Sequence, residues 1–262
     1  MSARPPSFVA KDSVPRDRMA DAYRILTAGR KLGPVMVAYS GGKDGLAAAL
    51  LARDVGVGGL NVCELSFTFR RQEQDIRATA HRFGINVVYR HHLSLGWLAA
   101  HPQYLFTHDM KLNGALCHLR QQNSVESYAR RHGIQVVITG RKTLGNSVRQ
   151  AIDPRKNGTT GCHPLRGWDD GDVWALLRDR GVPMPWVYST PFGRRQGNTG
   201  WPFCRLGSTI QENYEIIYQI EAETVLDAAE AGVPGAREFL DGYADRLSHI
   251  APPCGEEHPR PS

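Results

Sequence analysis

The sequence predicts an α/β protein, a doubly wound parallel sheet followed by a helical C-terminal module. Short apolar runs alternate with amphipathic stretches between residues 35 and 139. That alternation is the pattern of parallel strands joined by crossover helices that cover both faces of the sheet. A Gly-Gly-Lys turn sits where the first of those runs passes into a helix. Beyond residue 208 the helical period continues with no further strand pattern.

In chain order, residues 1–15 are rich in Pro and Ser and read as a flexible N-terminus. From Arg16 to Lys31, Met19, Ala22, Tyr23, Leu26 and Ala28 recur at helical spacing. The run Val35 to Tyr39 is a buried strand, and the helix after it ends near Asp54. LNVCELSF (60–67) reads as a second strand, and EQDIRATAHRFG (73–84) as its crossover helix, closed by Gly84. NVVYR (86–90) is a third strand; SVESYARRHG (124–133) is a helix feeding a fourth, QVVIT (135–139). The stretch TLGNSVRQAIDPRKNGTTGCHPLRGW is long, polar and basic, a length that usually marks function or mobility. WDDGDVWALLRDRG (168–181) is a helix capped by Asp169 or Asp170. Residues 187–204 are irregular and basic, and 208–232 and 235–249 form a helical tail. The partition is therefore 1–15, an α/β domain over 16–190, and a C-terminal loop and helical module over 191–262.

Composition sets outer limits. With 262 residues, 41% hydrophobic and 22% charged, the chain suits one sizeable α/β domain and is not a disordered protein. No apolar run is long enough to span a bilayer, and MSARPPSFVAKDSVPRDRM lacks the apolar core of a secretory signal. Five cysteines, at 63, 117, 162, 204 and 254, make an odd and scattered set rather than a disulfide framework. The expected compartment is the cytoplasm. A net charge of +6 favours polyanionic partners such as nucleotides or nucleic acid, or serves solubility. The ten histidines include no His-x-Glu or His-Glu-x-x-His spacing, so zinc chemistry has no support.

The turn in VMVAYSGGKDGLAAALLARD (35–54) carries the chemistry. Glycines permit positive φ and leave no side chain between the backbone and a ligand. The helix that follows aims unpaired N–H groups and its positive dipole end at the same place, and Lys43 adds a full charge. Together these form an anion cradle suited to phosphate, unless the turn is an ordinary one with an exposed lysine. The GxxxxGK-Ser/Thr phosphate loop is absent. Ligands of such sheets bind beyond the carboxyl ends of the strands. Both this turn and Gly140-Arg141-Lys142 occupy such ends.

Ser40-Gly41-Gly42-Lys43-Asp44 resembles the PP-loop of ATP pyrophosphatases, whose usual form is Ser-Gly-Gly-x-Asp-Ser. Lysine at the variable position is similar to the branch that holds phosphoadenosine-phosphosulfate (PAPS) reductases and their ATP-cleaving relatives. VVITGRK, CHPLRGWDDGDVWALLRDRGVPMPWVY and TGWPFCRLG resemble further segments of that branch, in the expected order, over roughly residues 34–207. One departure lies inside the motif, where Gly45 replaces the usual serine and loses a hydroxyl donor.

The resemblance implies an adenine nucleotide alpha hydrolase-like fold, ATP as ligand and Mg²⁺ as its counter-ion. It implies attack of a substrate oxygen on the α-phosphorus with departure of pyrophosphate. Ser40, Gly41, Gly42 and Lys43 would hold the pyrophosphate, with the backbone at Gly45 beside them. Asp44 would help place Mg²⁺, or serve only as a first-turn carboxylate. Tyr39 and the end of the second strand, Ser66 and Phe67, would frame adenosine. Gly140 and Arg141 would contact phosphate. Lys142, Arg149, Arg155 and Lys156 are further cations of the basic loop, for phosphate, nucleic acid or solvent.

The cysteines separate subclasses. An iron–sulfur cluster on Cys117, Cys162 and Cys204 is disfavoured, because no paired Cys spacing supports it. Cys204, in a basic irregular segment, is the leading sulfur carrier if its pKa is lowered, with Cys162, Cys117 and Cys254 as further candidates. Cys63, in an apolar strand, reads as core. The basic loops make the chain resemble the ATP pyrophosphatase of bacterial DNA phosphorothioation systems, which implies sulfur transfer, a cysteine desulfurase partner and DNA as acceptor. PPCGEEH at the end resembles loosely the Cys-bearing terminus of PAPS reductases, which would make Cys254 the nucleophile of a sulfonucleotide reductase. An inactive nucleotide-binding module that docks nucleic acid or protein is the third alternative.

Overall fold

A computed structural model describes residues 10–142, 150–155, 157–197 and 200–250. Its centre is a six-stranded sheet of β1 (Val35–Ala38), β2 (Asn61–Glu64), β3 (Val87–Arg90), β4 (Val136–Thr139), β5 (Ile152–Pro154) and β6 (Thr160–Cys162). The spatial order is β3-β2-β1-β4-β6-β5. All neighbouring pairs are parallel except β5 against β6. The chain thus winds outward from β1 through β2 to β3, then returns to lay β4 on the other flank of β1. That reversal leaves a crevice beyond the carboxyl ends of β1 and β4, the place where open α/β sheets hold ligands.

The helices are α1 (Arg16–Arg30), α2 (Lys43–Asp54), α3 (Arg70–Arg82), α4 (Leu95–Ala100), α5 (Met110–Cys117), α6 (Asn123–Arg131), α7 (Asp170–Asp179), α8 (Pro191–Gln196), α9 (Ile210–Ile220), α10 (Ala222–Glu230) and α11 (Ala236–Ile250). Strand alternation divides the core between the two faces. Val37, Cys63, Ile138 and Cys162 join the larger cluster with Ile25 and Leu26 of α1, Leu50 of α2 and Val173 of α7. Met36, Val62 and Val137 point the other way, onto Ala129 of α6. A single π-helical turn, His118–Gln122, joins α5 to α6. Turns of that kind recur at functional sites because they offset the side chains that follow.

The structure refines the sequence reading at three places. The second strand ends at Glu64, not at residue 67, because Leu65 donates to Arg90 O at 2.7 Å and Thr68 closes a turn onto Leu65 O at 3.1 Å. Phe67 stands in that turn at φ 60°. The stretch before residue 124 is helical (α5 and the π turn), and the long basic stretch after Gly140 contains β5 and β6. Asp169 rather than Asp170 caps α7, in a reciprocal capping box with Asp172.

The helical C-terminal region docks through charge and aromatic contacts. Both Glu221 carboxylate oxygens accept from the first backbone N–H groups of α3, Arg70 N and Arg71 N, at 2.8 Å each. Arg70 also pairs with Asp227 at 2.7 Å, and Tyr214 meets Phe106 edge-on at 5.0 Å. Among the described residues, no helix is long and apolar enough to cross a membrane.

Candidate nucleotide site

Four glycines build the site. Gly41 adopts φ 71°, and a Cβ there would lie 2.3 Å from the Ile76 side chain, so it is required both for its conformation and for space. Gly42 is the extended N-cap of α2. A Cβ at Gly140 would meet the Asp44 carbonyl at 2.4 Å, so only glycine lets the exit of β4 lie against the first turn of α2. Gly45 has a similar cause: a Cβ there would sit 3.0 Å from Ser40 N and Oγ. The departure from the usual serine therefore accompanies a turn folded tightly onto Ser40.

Beside these turns lies a cavity of about 670 Å³. Tyr39, Ser40, Asp44 and Gly45 line it from the β1–α2 turn, and Thr139, Gly140, Arg141 and Lys142 from the exit of β4. Val62 and Glu64 of β2, Val137 of β4, Gln121 of the π turn, Val125 and Glu126 of α6, and Arg155 complete it. Thr139 Oγ1 lies 2.8 Å from His163 Nδ1 and accepts from Arg141 N at 3.4 Å. Arg155 runs past Gly161, where a Cβ would approach its guanidinium to 3.0 Å. Tyr39 is 1% exposed, its phenol pushed up chiefly by burial, so it acts as a wall rather than an acid.

Lys43 is not aimed into this space. Its ammonium is buried, 2.9 Å from Asp44 Oδ2 and 2.8 Å from Asp170 Oδ1. Lys142 Nζ lies 2.9 Å from Asp44 Oδ1 and also contacts Asp170. Two lysines and two aspartates thus form one alternating cluster at the N-terminus of α2. Burial pushes the Lys43 pKa down, but Asp44 and Asp170 outweigh it and hold it above the ordinary lysine value. Burial likewise pushes Asp170 up, but hydrogen bonds from Lys142 and Lys43 bring it down to about 2. The Lys43 backbone N–H donates to Tyr188 Oη at 3.3 Å. Asp44 and Asp170 supply adjacent hard oxygens, and two carboxylates plus substrate phosphates is a donor set that suits Mg²⁺. Both carboxylates are paired with Lys43 and Lys142 here, so they would take that ion once a phosphate tail drew Lys142 away.

Of the residues singled out from sequence, the structure gathers Tyr39, Ser40, Asp44, Gly45, Gly140 and Arg141 on the cavity, with Lys43 directly behind Asp44. Gly41 and Gly42 shape the turn without lining the cavity. Ser66 and Phe67 lie elsewhere. Ser66 Oγ accepts from Leu93 N at 2.8 Å, and Phe67 packs edge-on against Trp201 at 6.3 Å while its carbonyl accepts from Trp201 N. Their places on the cavity are taken by Val62 and Glu64, because β2 ends earlier than its apolar run.

Cys117, Cys162 and Cys204 lie away from the cavity. Cys204 is buried, and burial pushes its thiol up to about 11, opposite to the lowered value expected. Cys162 is buried on β6, pushed up to about 12, with its thiol 3.7 Å from Ile25 O. Burial also raises Cys117, against the pull of Arg120. None of the three lines the cavity. Among the described residues, no three His, Cys, Asp or Glu side chains come together as a metal cluster would need. Cys254, Arg149 and Lys156 lie outside the described residues. Sequence reasoning missed Asp170, Glu64, Gln121 and Glu126. Asp170 was recoverable in part, since one of two adjacent aspartates must cap α7 and the other is left for another partner.

The phosphoadenosine phosphosulfate reductase domain family matches residues 34–212. The chain belongs to that family. No curated protein sequence matches it. Among solved structures, it is similar to phosphoadenylyl-sulfate (PAPS) reductase from Candida auris in a phosphate complex, at 15% identity and a TM-score of 0.50. That match covers 68% of this chain and 92% of the other. The NMN synthetase of Francisella tularensis aligns at 19% identity over 83% of this chain and 92% of its own, with a TM-score of 0.48. For this PAPS reductase family member, the first comparison supports the fold: a mostly parallel sheet with flanking helices.

Proposed function

We propose that the chain is an ATP pyrophosphatase that cleaves the α–β bond of ATP to activate an oxygen of its acceptor for sulfur transfer. The observation that carries this is the Lys43–Asp44–Lys142–Asp170 cluster, set at a helix N-terminus beside a nucleotide-sized cavity at the sheet's switch point. Cleavage of this kind depends mainly on positioning and charge stabilisation. The Ser40 and Gly45 backbone and the Arg141 and Lys142 side chains hold the departing pyrophosphate. Asp44 and Asp170 would hold Mg²⁺, which supplies charge neutralisation of the phosphate oxygens. When phosphate competes for Lys142, Lys43 remains behind Asp44 and keeps both carboxylates ionised. The acceptor oxygen attacks the α-phosphorus, the bond to the bridging oxygen breaks, and the acceptor leaves this step adenylated.

The acceptor that best fits the basic surface is the DNA backbone, with a cysteine desulfurase as sulfur donor, in the cytoplasm. Burial of Cys162 and Cys204, and the place of Cys117 away from the cavity, argue that sulfur reaches the adenylated acceptor from the partner rather than through these thiols. The test uses ATP labelled at the α and γ positions, with Mg²⁺, DNA and a desulfurase. Labelled AMP and unbroken pyrophosphate are expected, and ADP with free phosphate would overturn the reading. The family match favours a second reading, a sulfonucleotide reductase using Cys254. It predicts sulfite release from PAPS with thioredoxin, lost in Cys254→Ser.

A further inference from the structure

The cavity is electrically polarised along the sheet. Strand order places β2, β1 and β4 side by side, two steps of about 4.8 Å, so the β2 and β4 sides of the cavity lie about 10 Å apart. At the β4 side stand Arg141 and Lys142, with Asp44 paired to Lys142 and Arg155 on the same lining; at the β2 side stands Glu64, and Glu126 of α6 also lines the cavity. Between them the walls are apolar, Val62 and Val137 from the sheet and Val125 from α6. A phosphate tail belongs at the first end, where cations and the Ser40 turn converge. The nucleoside then has one direction left, across the valines toward the carboxylates.

Glu64 is built into that end. It is 6% exposed, and its Oε1 is pinned by Ser66 N at 2.8 Å and His92 N at 3.2 Å. Its Oε2 is buried and has no hydrogen-bond partner among the described residues. Arg120, wholly buried on the π turn, lies near enough to feel the Glu64 charge, while burial pulls its own pKa down. A pinned carboxylate whose second oxygen is buried and unpartnered favours a hydrogen-bond donor and disfavours a second anion.

We propose that Glu64 and Glu126 make the nucleoside end of this cavity specific for a nucleotide with free ribose hydroxyls, and that they exclude one carrying a 3′-phosphate. This rests on the nucleotide-binding reading above and deepens it. The chain would then discriminate against the 3′-phosphorylated class of ligand for which its family is named. A 3′-phosphate adds close to two negative charges at neutral pH, and like-charge juxtaposition is an effective way to reject a near-identical ligand.

The experiment is equilibrium binding of AMP and adenosine 3′,5′-bisphosphate to the full chain, at one fixed ionic strength, by calorimetry. AMP is expected to bind at least tenfold tighter than the bisphosphate. Glu126→Gln, at a partly exposed position where folding is not at stake, is expected to narrow that ratio at least threefold, mainly by improving bisphosphate binding. Glu64→Gln should narrow it further, with far-ultraviolet circular dichroism checking that the variant is folded. Bisphosphate binding as tight as AMP, or a ratio unmoved in Glu126→Gln, overturns the inference while leaving a nucleotide site in place. Failure of every nucleotide to bind, AMP and ATP included, overturns the nucleotide reading and the inference with it.

Discussion

Replacing Asp170 with Asn tests the charge cluster on which the site depends. In the folded chain, hydrogen bonds from Lys142 and Lys43 bring the Asp170 carboxyl from an ordinary 3.8 down to about 2. A depressed carboxylate contributes stability above its unfolded pKa and loses it as pH falls through the folded value. The drop corresponds to ~2–3 kcal/mol at pH 7, about half of that at pH 3 and almost none by pH 1. Asn keeps the size and an acceptor oxygen but leaves two ammonium groups sharing Asp44 alone. Asp170→Asn should therefore lower unfolding free energy by ~2–3 kcal/mol at pH 7, and the gap from wild type should halve by pH 3. Urea titrations of both proteins at pH 7, 5, 4 and 3 measure it. A loss below about 0.5 kcal/mol at pH 7, or one that does not change with pH, would refute the cluster as described.

Other perturbations address separate parts of the site. Gly140→Ala puts a methyl 2.4 Å from the Asp44 carbonyl and should cost ~2–3 kcal/mol while weakening ATP binding, read by thermal unfolding and calorimetry. Gly41→Ala meets Ile76 and a positive φ together; adding Ile76→Ala should relieve the clash but leave a backbone cost of ~1–2 kcal/mol, seen in a double-mutant cycle. Glu221→Ala removes the acceptor of two N–H groups at the start of α3 and should cost ~1–2 kcal/mol in urea unfolding. Because burial raises the Cys204 and Cys162 thiols, native protein at pH 8 should leave both unmodified by iodoacetamide, as peptide mass spectrometry reads; rapid alkylation of Cys204 would contradict its burial.

The parts of the fold legible in sequence are those where local and tertiary demands coincide. Val35–Ala38 is apolar because a central parallel strand is covered on both faces, and the paired glycines after it mark a turn that only glycine can make. The error at β2 has a definite cause. Leu65, Phe67 and Phe69 continue the apolar run but belong to a turn packed into the larger core, so periodicity alone does not find where pairing stops. Helix α5 escaped notice because Met110–Cys117 contains Lys, Asn and Gly on a short span that tertiary packing stabilises. Strands β5 and β6 have three residues each and carry a proline and a glycine, below any pattern threshold. At the site, the turn between β1 and α2 was readable from its glycines. The Lys142–Asp170 contact was not, because it joins residues 28 apart and depends on which aspartate caps α7.

The most direct test of the central claim is a crystal structure with Mg²⁺ and α,β-methylene-ATP, which cannot be cut at the bond in question. The account predicts the phosphate tail against the Ser40–Gly45 turn, Lys142 turned onto it, and Mg²⁺ on Asp44 and Asp170. A nucleotide bound elsewhere, or a tail pointing toward Glu64 with the lysine–aspartate cluster unchanged, would contradict it.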